Sequence, residues 1–165
     1  MRLLTVVRHA KSSWDQSELS DFERPLNERG RRDAPAMAKR LLKLPPKPDL
    51  LVSSPANRAL TTARIFADEA GIRIQDVSVD AKIYDASVDT LLKVVRGLDD
   101  GARHVVLFGH NPGMTELAHL LADCPFDELP TCAVVRIEFA VKSWHDAAPH
   151  DGKLVHYMFP KDQMG

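Results

Sequence analysis

LLTVVRHA, residues 3–10, is a β-branched apolar run that stops abruptly at a cation and an imidazole. Five residues with no polar alternation suit a strand buried on both faces, which needs helices above and below its sheet. The chain downstream supplies them. From Asn27, placed as an N-cap, Ala34, Met37, Ala38, Leu41 and Leu42 recur at helical spacing, and Pro35 is expected to kink that helix. Residues 49–53 form a second buried run. Ser54-Pro55 reads as a cap followed by proline at the first helical position, and Ala59, Ala63, Phe66, Ala67 and Ala70 share one face of a helix that Gly71 ends. Residues 77–83 carry only a weak strand signal, after which Ser87 caps a helix bearing Val88, Leu91, Leu92 and Val95. Residues 104–108 are a third buried run, ended by Gly109, and Met114, Leu117, Ala118 and Leu121 line the helix that follows. Val135, Ile137 and Phe139 alternate with Arg136 and Glu138, and residues 154–159 alternate again, so an antiparallel pair closes the chain. This order predicts an α/β fold: a mostly parallel central sheet with helices on both faces and a C-terminal antiparallel strand pair.

A chain of 165 residues suits one domain over 1–165, and its 44% hydrophobic content supports a core rather than disorder. Twenty-two Lys and Arg against 23 Asp and Glu leave a charge of −1, so nothing global attracts nucleic acid or anionic lipid. The apolar runs are too short for a membrane span, and the N-terminus lacks the features of a signal peptide, so a cytoplasmic monomer is expected. Cys124 and Cys132 form neither a disulfide framework nor a zinc spacing and read as reduced, mostly buried thiols. His104, His119, His145, His150 and His156 lack metal-site spacing; neither metal nor cofactor is expected.

Open α/β sheets bind ligands beyond the carboxyl ends of their strands. The first strand delivers Arg8 and His9 there, the second leads into a helix whose first turn carries Arg58, and the third delivers His110. Two arginines, two histidines and a helix N-terminus on one edge point to a phosphate ligand. Familiar nucleophile motifs are missing. Neither cysteine is followed six residues on by arginine, no Walker lysine loop occurs, and residues 109–113 have the glycine spacing of a nucleophile elbow but Asn111 in place of serine. Histidine remains, because a neutral imidazole nitrogen can attack phosphorus while guanidinium groups neutralise its oxygens.

VVRHAKSSW at residues 6–14 resembles the signature of the histidine phosphatase (phosphoglycerate mutase-like) superfamily, which usually shows Arg-His-Gly. RPLNERG (24–30), SSPANRALTTA (53–63), IYDAS (83–87) and LFGHNPG (107–113) follow in the family's order. With Ala10 in place of glycine and a short chain, the sequence looks most like the SixA branch, the phosphohistidine phosphatases. The resemblance implies that His9 is the nucleophile that becomes phosphohistidine, that Arg8 and Arg58 bind phosphate, and that His110 is the second histidine of the pocket. Ser12 matches a position that often helps bind substrate, Lys11 makes the mouth more positive where many relatives carry glutamate, and Arg24 stands at the rim, where a structural ion pair with Asp21 is the simpler role. Asp85 is the only carboxylate within IYDAS and so the candidate general acid, equally suited to accepting turn hydrogen bonds. Trp14, just past the signature, is a candidate core, rim or docking aromatic.

Imidazole is a better leaving group than alkoxide, and an acid is worth about 10²–10⁴-fold to ester cleavage. Weak acid provision therefore favours the P–N bond, and a chain too short for capping insertions favours a phosphohistidine displayed on a protein. The expected partner is a phosphotransfer domain or a phosphocarrier. The rival readings are a small-molecule phosphomonoesterase of the same superfamily, acting on a phosphosugar or nucleotide, and a non-catalytic phosphohistidine-binding module.

Overall fold

The computed structural model describes residues 1–16 and 18–163. Its elements run β1 (Arg2–Arg8), α1 (Glu28–Leu42), β2 (Leu50–Ser53), α2 (Asn57–Ala70), β3 (Ser78–Val79), α3 (Val88–Arg96), β4 (His104–Gly109), α4 (Gly113–Leu121), β5 (Val134–Phe139) and β6 (Lys153–Met158). Among the described residues these strands form one sheet in the order β3-β2-β4-β1-β5-β6. β1 lies inside it, parallel to β4 from Leu3↔His104 to Arg8↔Gly109 and antiparallel to β5 from Arg2↔Phe139 to Val7↔Val134. The α/β expectation is met, with β2, β3 and β4 parallel to β1, β5 antiparallel to β1, and β6 antiparallel to β5 at the C-terminal end.

Period-two alternation sorts the strand residues between two cores. Leu4, Val6, Val105, Leu107 and Val135 face the layer of α3 and α4, whereas Val7, Val106, Phe108 and Val134 face that of α1 and α2. Each fully buried side chain of this size stabilises the fold by roughly 1.5–3 kcal/mol before the chain's lost entropy is set against it. Cys124 packs on the first core and Cys132 in the second, so the sheet separates the two thiols. Burial pushes both up in pKa, Cys124 to about 11, which keeps them protonated and inert.

Pro35 lies inside α1, which runs on to Leu42: the proline leaves only the Arg31 carbonyl without its helical donor, on an exposed face where water can serve. One local expectation needs correction. Ser54-Pro55 does not open α2. The helix starts at Asn57 behind Ala56, which has no side-chain acceptor to cap it, and the Ser54 hydroxyl accepts from the Ala56 N–H just ahead of it. Asn27 does cap α1, its side chain accepting from the Gly30 N–H, and Gly71 ends α2 at φ +73°.

Gly30 fixes the approach of α1 to the segment after β1, since a Cβ there would lie 2.2 Å from the Lys11 carbonyl oxygen. The Asn27 N–H donates to that same oxygen (3.0 Å), and Ser12 bridges to Leu26. Thus α1 holds the stretch that follows His9. Among the described residues no helix is long and apolar enough to cross a membrane.

Candidate active site

The parallel register of three neighbouring strands brings their carboxyl ends level. At that edge the His9 N–H donates to the Gly109 carbonyl (3.0 Å) and the Ser54 N–H to that of Phe108 (3.1 Å), so His9, Ser54 and His110 emerge side by side. The His9 and His110 rings lie 5.3 Å apart between centroids and are both buried. The expected convergence of Arg8, His9, Arg58 and His110 is what the chain builds, around one cleft.

The tautomer of His9 follows from one contact. Its Nδ1 lies 2.7 Å from the Ala10 carbonyl, which can only accept, so Nδ1 carries the proton and Nε2 the free lone pair. Ala10 is in turn held by its N–H donating to Thr62 Oγ1 (3.1 Å), whose hydroxyl donates to the Arg58 carbonyl (2.8 Å). Burial first, and after it the neighbouring His110 and the positive field of Arg58 and Arg8, lower the His9 pKa to about 3 against the upward pull of the Ala10 bond. His110 is lowered to about 4, again by burial and then by Arg58. Both rings are neutral at physiological pH, and His9 meets the first requirement of a nucleophile.

His110 Nε2 lies 2.7 Å from Ser54 Oγ, which also accepts from the Ala56 N–H (3.2 Å). His110 Nδ1 and Arg8 Nε, by contrast, are buried without a hydrogen-bond partner among the described residues. Two such polar atoms at one site match the oxygens of an incoming anion. Arg8 is anchored through Nη1 to the Leu129 carbonyl (2.7 Å).

Arg58 extends from the first turn of α2 and grips Asp21 twice, Nη1 to the carbonyl (2.6 Å) and Nη2 to Oδ2 (3.0 Å). Asp21 also accepts from Arg24 Nη1 (3.0 Å) and the Tyr84 hydroxyl (2.7 Å). Burial opposes its charge, but the hydrogen bonds from Tyr84, Arg24 and Arg58 outweigh it and hold the carboxyl at about 2. Asp21 is therefore ionised and has no proton to give.

The remaining expected site residues are placed less centrally. Arg24 is at the rim, its Nε donating to the Ser13 carbonyl and its Nη2 to the Ser12 hydroxyl, so ion pairing and loop anchoring occupy the guanidinium. Its face covers the exposed Trp14 ring at 3.2 Å. Lys11 lines the cleft with Ser12. Asp85 is exposed at φ +52° and lines the outer cleft with Tyr84 and Asn111.

Sequence reasoning missed Ser54 as a partner of His110, Asp21 as a ligand of Arg58, and Tyr84, whose ring stands edge-on to His110 at 5.6 Å. The carboxyl-edge rule that selected His9 applies equally to Ser54, the residue after β2, and was the available signal.

One stability consequence follows from the buried rings. His9, His110 and His104 have folded pKa values of about 3, 4 and 4, below the ordinary 6.5. Between those values the unfolded chain binds more protons, so their stabilisation is complete above pH 6.5 and is lost as pH falls toward 4. The urea midpoint is expected to fall between about pH 7 and pH 5, ahead of most carboxylate titration. A flat midpoint across that window would mean that these rings are not held neutral.

The sequence model of the histidine phosphatase superfamily (branch 1) matches residues 4–88. An uncharacterised chloroplastic protein of Arabidopsis thaliana is 29% identical over 154 residues, which span 88% of this chain and 70% of that one. Among solved structures, a candidate phosphohistidine phosphatase SixA of Agrobacterium tumefaciens superposes with a TM-score of 0.80 at 25% identity, covering 96% of this chain and 98% of its own. The protein histidine phosphatase SixA in complex with tungstate gives 0.79 at 21% identity, with 97% and 98% covered, which supports the fold.

Proposed function

Because the chain belongs to the histidine phosphatase superfamily and is a hydrolase of that kind, we propose that it removes phosphate from protein phosphohistidine, with His9 as nucleophile. His9 Nε2 attacks phosphorus and forms a new N–P bond. The substrate's P–N bond breaks with its electron pair, and a phosphohistidine protonated on its other ring nitrogen leaves as neutral imidazole. Leaving group and nucleophile are then the same chemical species, so this transfer needs no acid from the protein. Arg8 and Arg58 neutralise the phosphoryl oxygens, and Ser54, by donating to His110 Nε2, keeps a proton on His110 Nδ1 for a third contact. Water next attacks phosphorus, the electron pair of the N–P bond returns to His9 Nε2, and the water's protons leave with phosphate or pass to solvent.

The observation that carries this reading is the state of Asp21. The carboxylate that Arg58 grips is pinned as an anion by three side-chain donors, while Asp85 stands exposed at the outer cleft. An alkoxide leaving group would lack the acid it needs. A rival phosphomonoesterase must recruit Asp85, and a module that only binds phosphohistidine has no use for the free lone pair on His9.

The test is phosphate release from a phosphohistidine protein and from an alkyl phosphate monoester such as phosphoserine, with EDTA throughout. Expected is metal-independent turnover whose kcat/KM favours phosphohistidine by about 10²-fold or more, the worth of an acid that the ester lacks. Preference for the ester, lost in Asp85→Asn, would assign the small-molecule chemistry instead; binding of phosphohistidine without turnover would leave the binding module.

A further inference from the structure

From the catalytic cleft a second depression of about 280 Å³ leads away past Arg8, Lys11 and Thr131, which line both. Arg29 and Lys161 complete its charged rim, over a floor that includes Phe159 and Pro160, and none of the described residues that line it is acidic. Four cations on one small surface are not the mark of a basic protein, since the chain as a whole carries −1.

These charges are available. Among the described residues neither Lys11 nor Lys161 has a carboxylate within ion-pair distance, and Arg29 meets Asp33 only through Nε, at 3.5 Å. The wall bearing Lys161 is fixed by Arg40, which donates to the Phe159 carbonyl (3.1 Å) and pairs with Asp162 (2.9 Å). That pairing turns the Asp162 carboxylate toward Arg40. Lys161 is left to the groove, on a segment held in place.

We propose that this groove receives an acidic segment flanking the phosphohistidine of the protein substrate, so that it selects which phosphohistidine proteins are dephosphorylated. The inference rests on the phosphohistidine reading above. Its occupant follows from charge complementarity and continuity: a group bound at Arg8 places its neighbouring residues at the groove, and side chains of opposite sign lower the encounter barrier there. The floor of Phe159 and Pro160 suits an extended chain, which presents carboxylates toward the rim.

The probes are two phosphohistidine peptides identical except that glutamates flank the phosphohistidine in one and glutamines in the other. The wild-type protein is expected to prefer the glutamate peptide by about tenfold in kcat/KM, mainly through KM, as several exposed ion pairs would give. The preference should shrink as ionic strength rises toward about 0.5 M and the Debye length shortens. In Arg29→Glu/Lys161→Glu the preference should vanish or invert while the glutamine peptide is cleaved at the wild-type rate, which also reports correct folding. Equal treatment of the two peptides by the wild type, or a preference that survives in the double variant, overturns the proposal. So does a double variant that shows no change with peptides but loses competition by a compact bisphosphate, which would give the groove to a small molecule. Failure to cleave either peptide while p-nitrophenyl phosphate is hydrolysed would instead remove the phosphohistidine reading itself.

Discussion

His9→Ala is expected to lower phosphate release by on the order of 10⁴-fold or more, whichever phosphorylated substrate is offered, because no other imidazole nitrogen among the described residues of the site offers an uncommitted lone pair. Nδ1 of the same ring is committed to the Ala10 carbonyl, and His110 Nε2 to Ser54. The wild-type protein, quenched during turnover, should carry one phosphoryl group that survives alkali and is lost in acid, the stability pattern of a phosphoramidate. His9→Ala should carry none. The variant should keep its fold, since the backbone bonds that place residue 9 do not involve the imidazole. Turnover that persists in His9→Ala would move the nucleophile elsewhere and dismantle the proposed mechanism.

The second large effect is at Arg58. Arg58→Ala should reduce kcat/KM by about 10²–10³-fold, the usual worth of one oriented cationic donor on a transferring phosphoryl group. Arg58→Lys should recover little, because the fork that reaches both the Asp21 carbonyl and its Oδ2 has no counterpart in an ammonium. Asp21→Asn separates two roles for the carboxylate. If Asp21 only aims Arg58, turnover of phosphohistidine and of ester should fall together and by less than about tenfold, since arginine can still donate to the amide oxygen. A loss confined to the ester would show Asp21 giving a proton, against the ionised state that its three donors enforce.

How much of this was readable beforehand depends on the range of each interaction. The β1 and β4 runs are buried at nearly every position, and periodicity alone locates such segments. Arg8, His9 and His110 come at the ends of those runs, so the carboxyl-edge rule places them together without any knowledge of contacts. Asp21 lies in a stretch without periodicity. Its local partner, Arg24, was visible three residues away, but Arg58 and Tyr84 are 37 and 63 residues distant, and no local pattern announces them. Ser54 was half read for the opposite reason: next to Pro55 it has a strong local explanation, and its hydroxyl does accept from the Ala56 N–H, but the imidazole that it also meets is 56 residues away. Local rules stop at the near partner of a polar side chain that has two.

The position of β1 within the sheet also constrains the order of assembly. Its partners are β4 and β5, about a hundred residues and more downstream. Synthesised before both partners, β1 therefore has no pairing neighbour until residues 104–109 exist, and stays unpaired along one side until 134–139 do. Closing loops of that length is slow relative to helix formation, so α1 and α2 are free to form while their central strand is still waiting. Arg8 and His9 are synthesised well before β4 and β5 but reach the geometry of the site only when those strands have been added. A nascent or truncated chain presents these residues apart from His110 and Ser54, and the finished sheet is what assembles them.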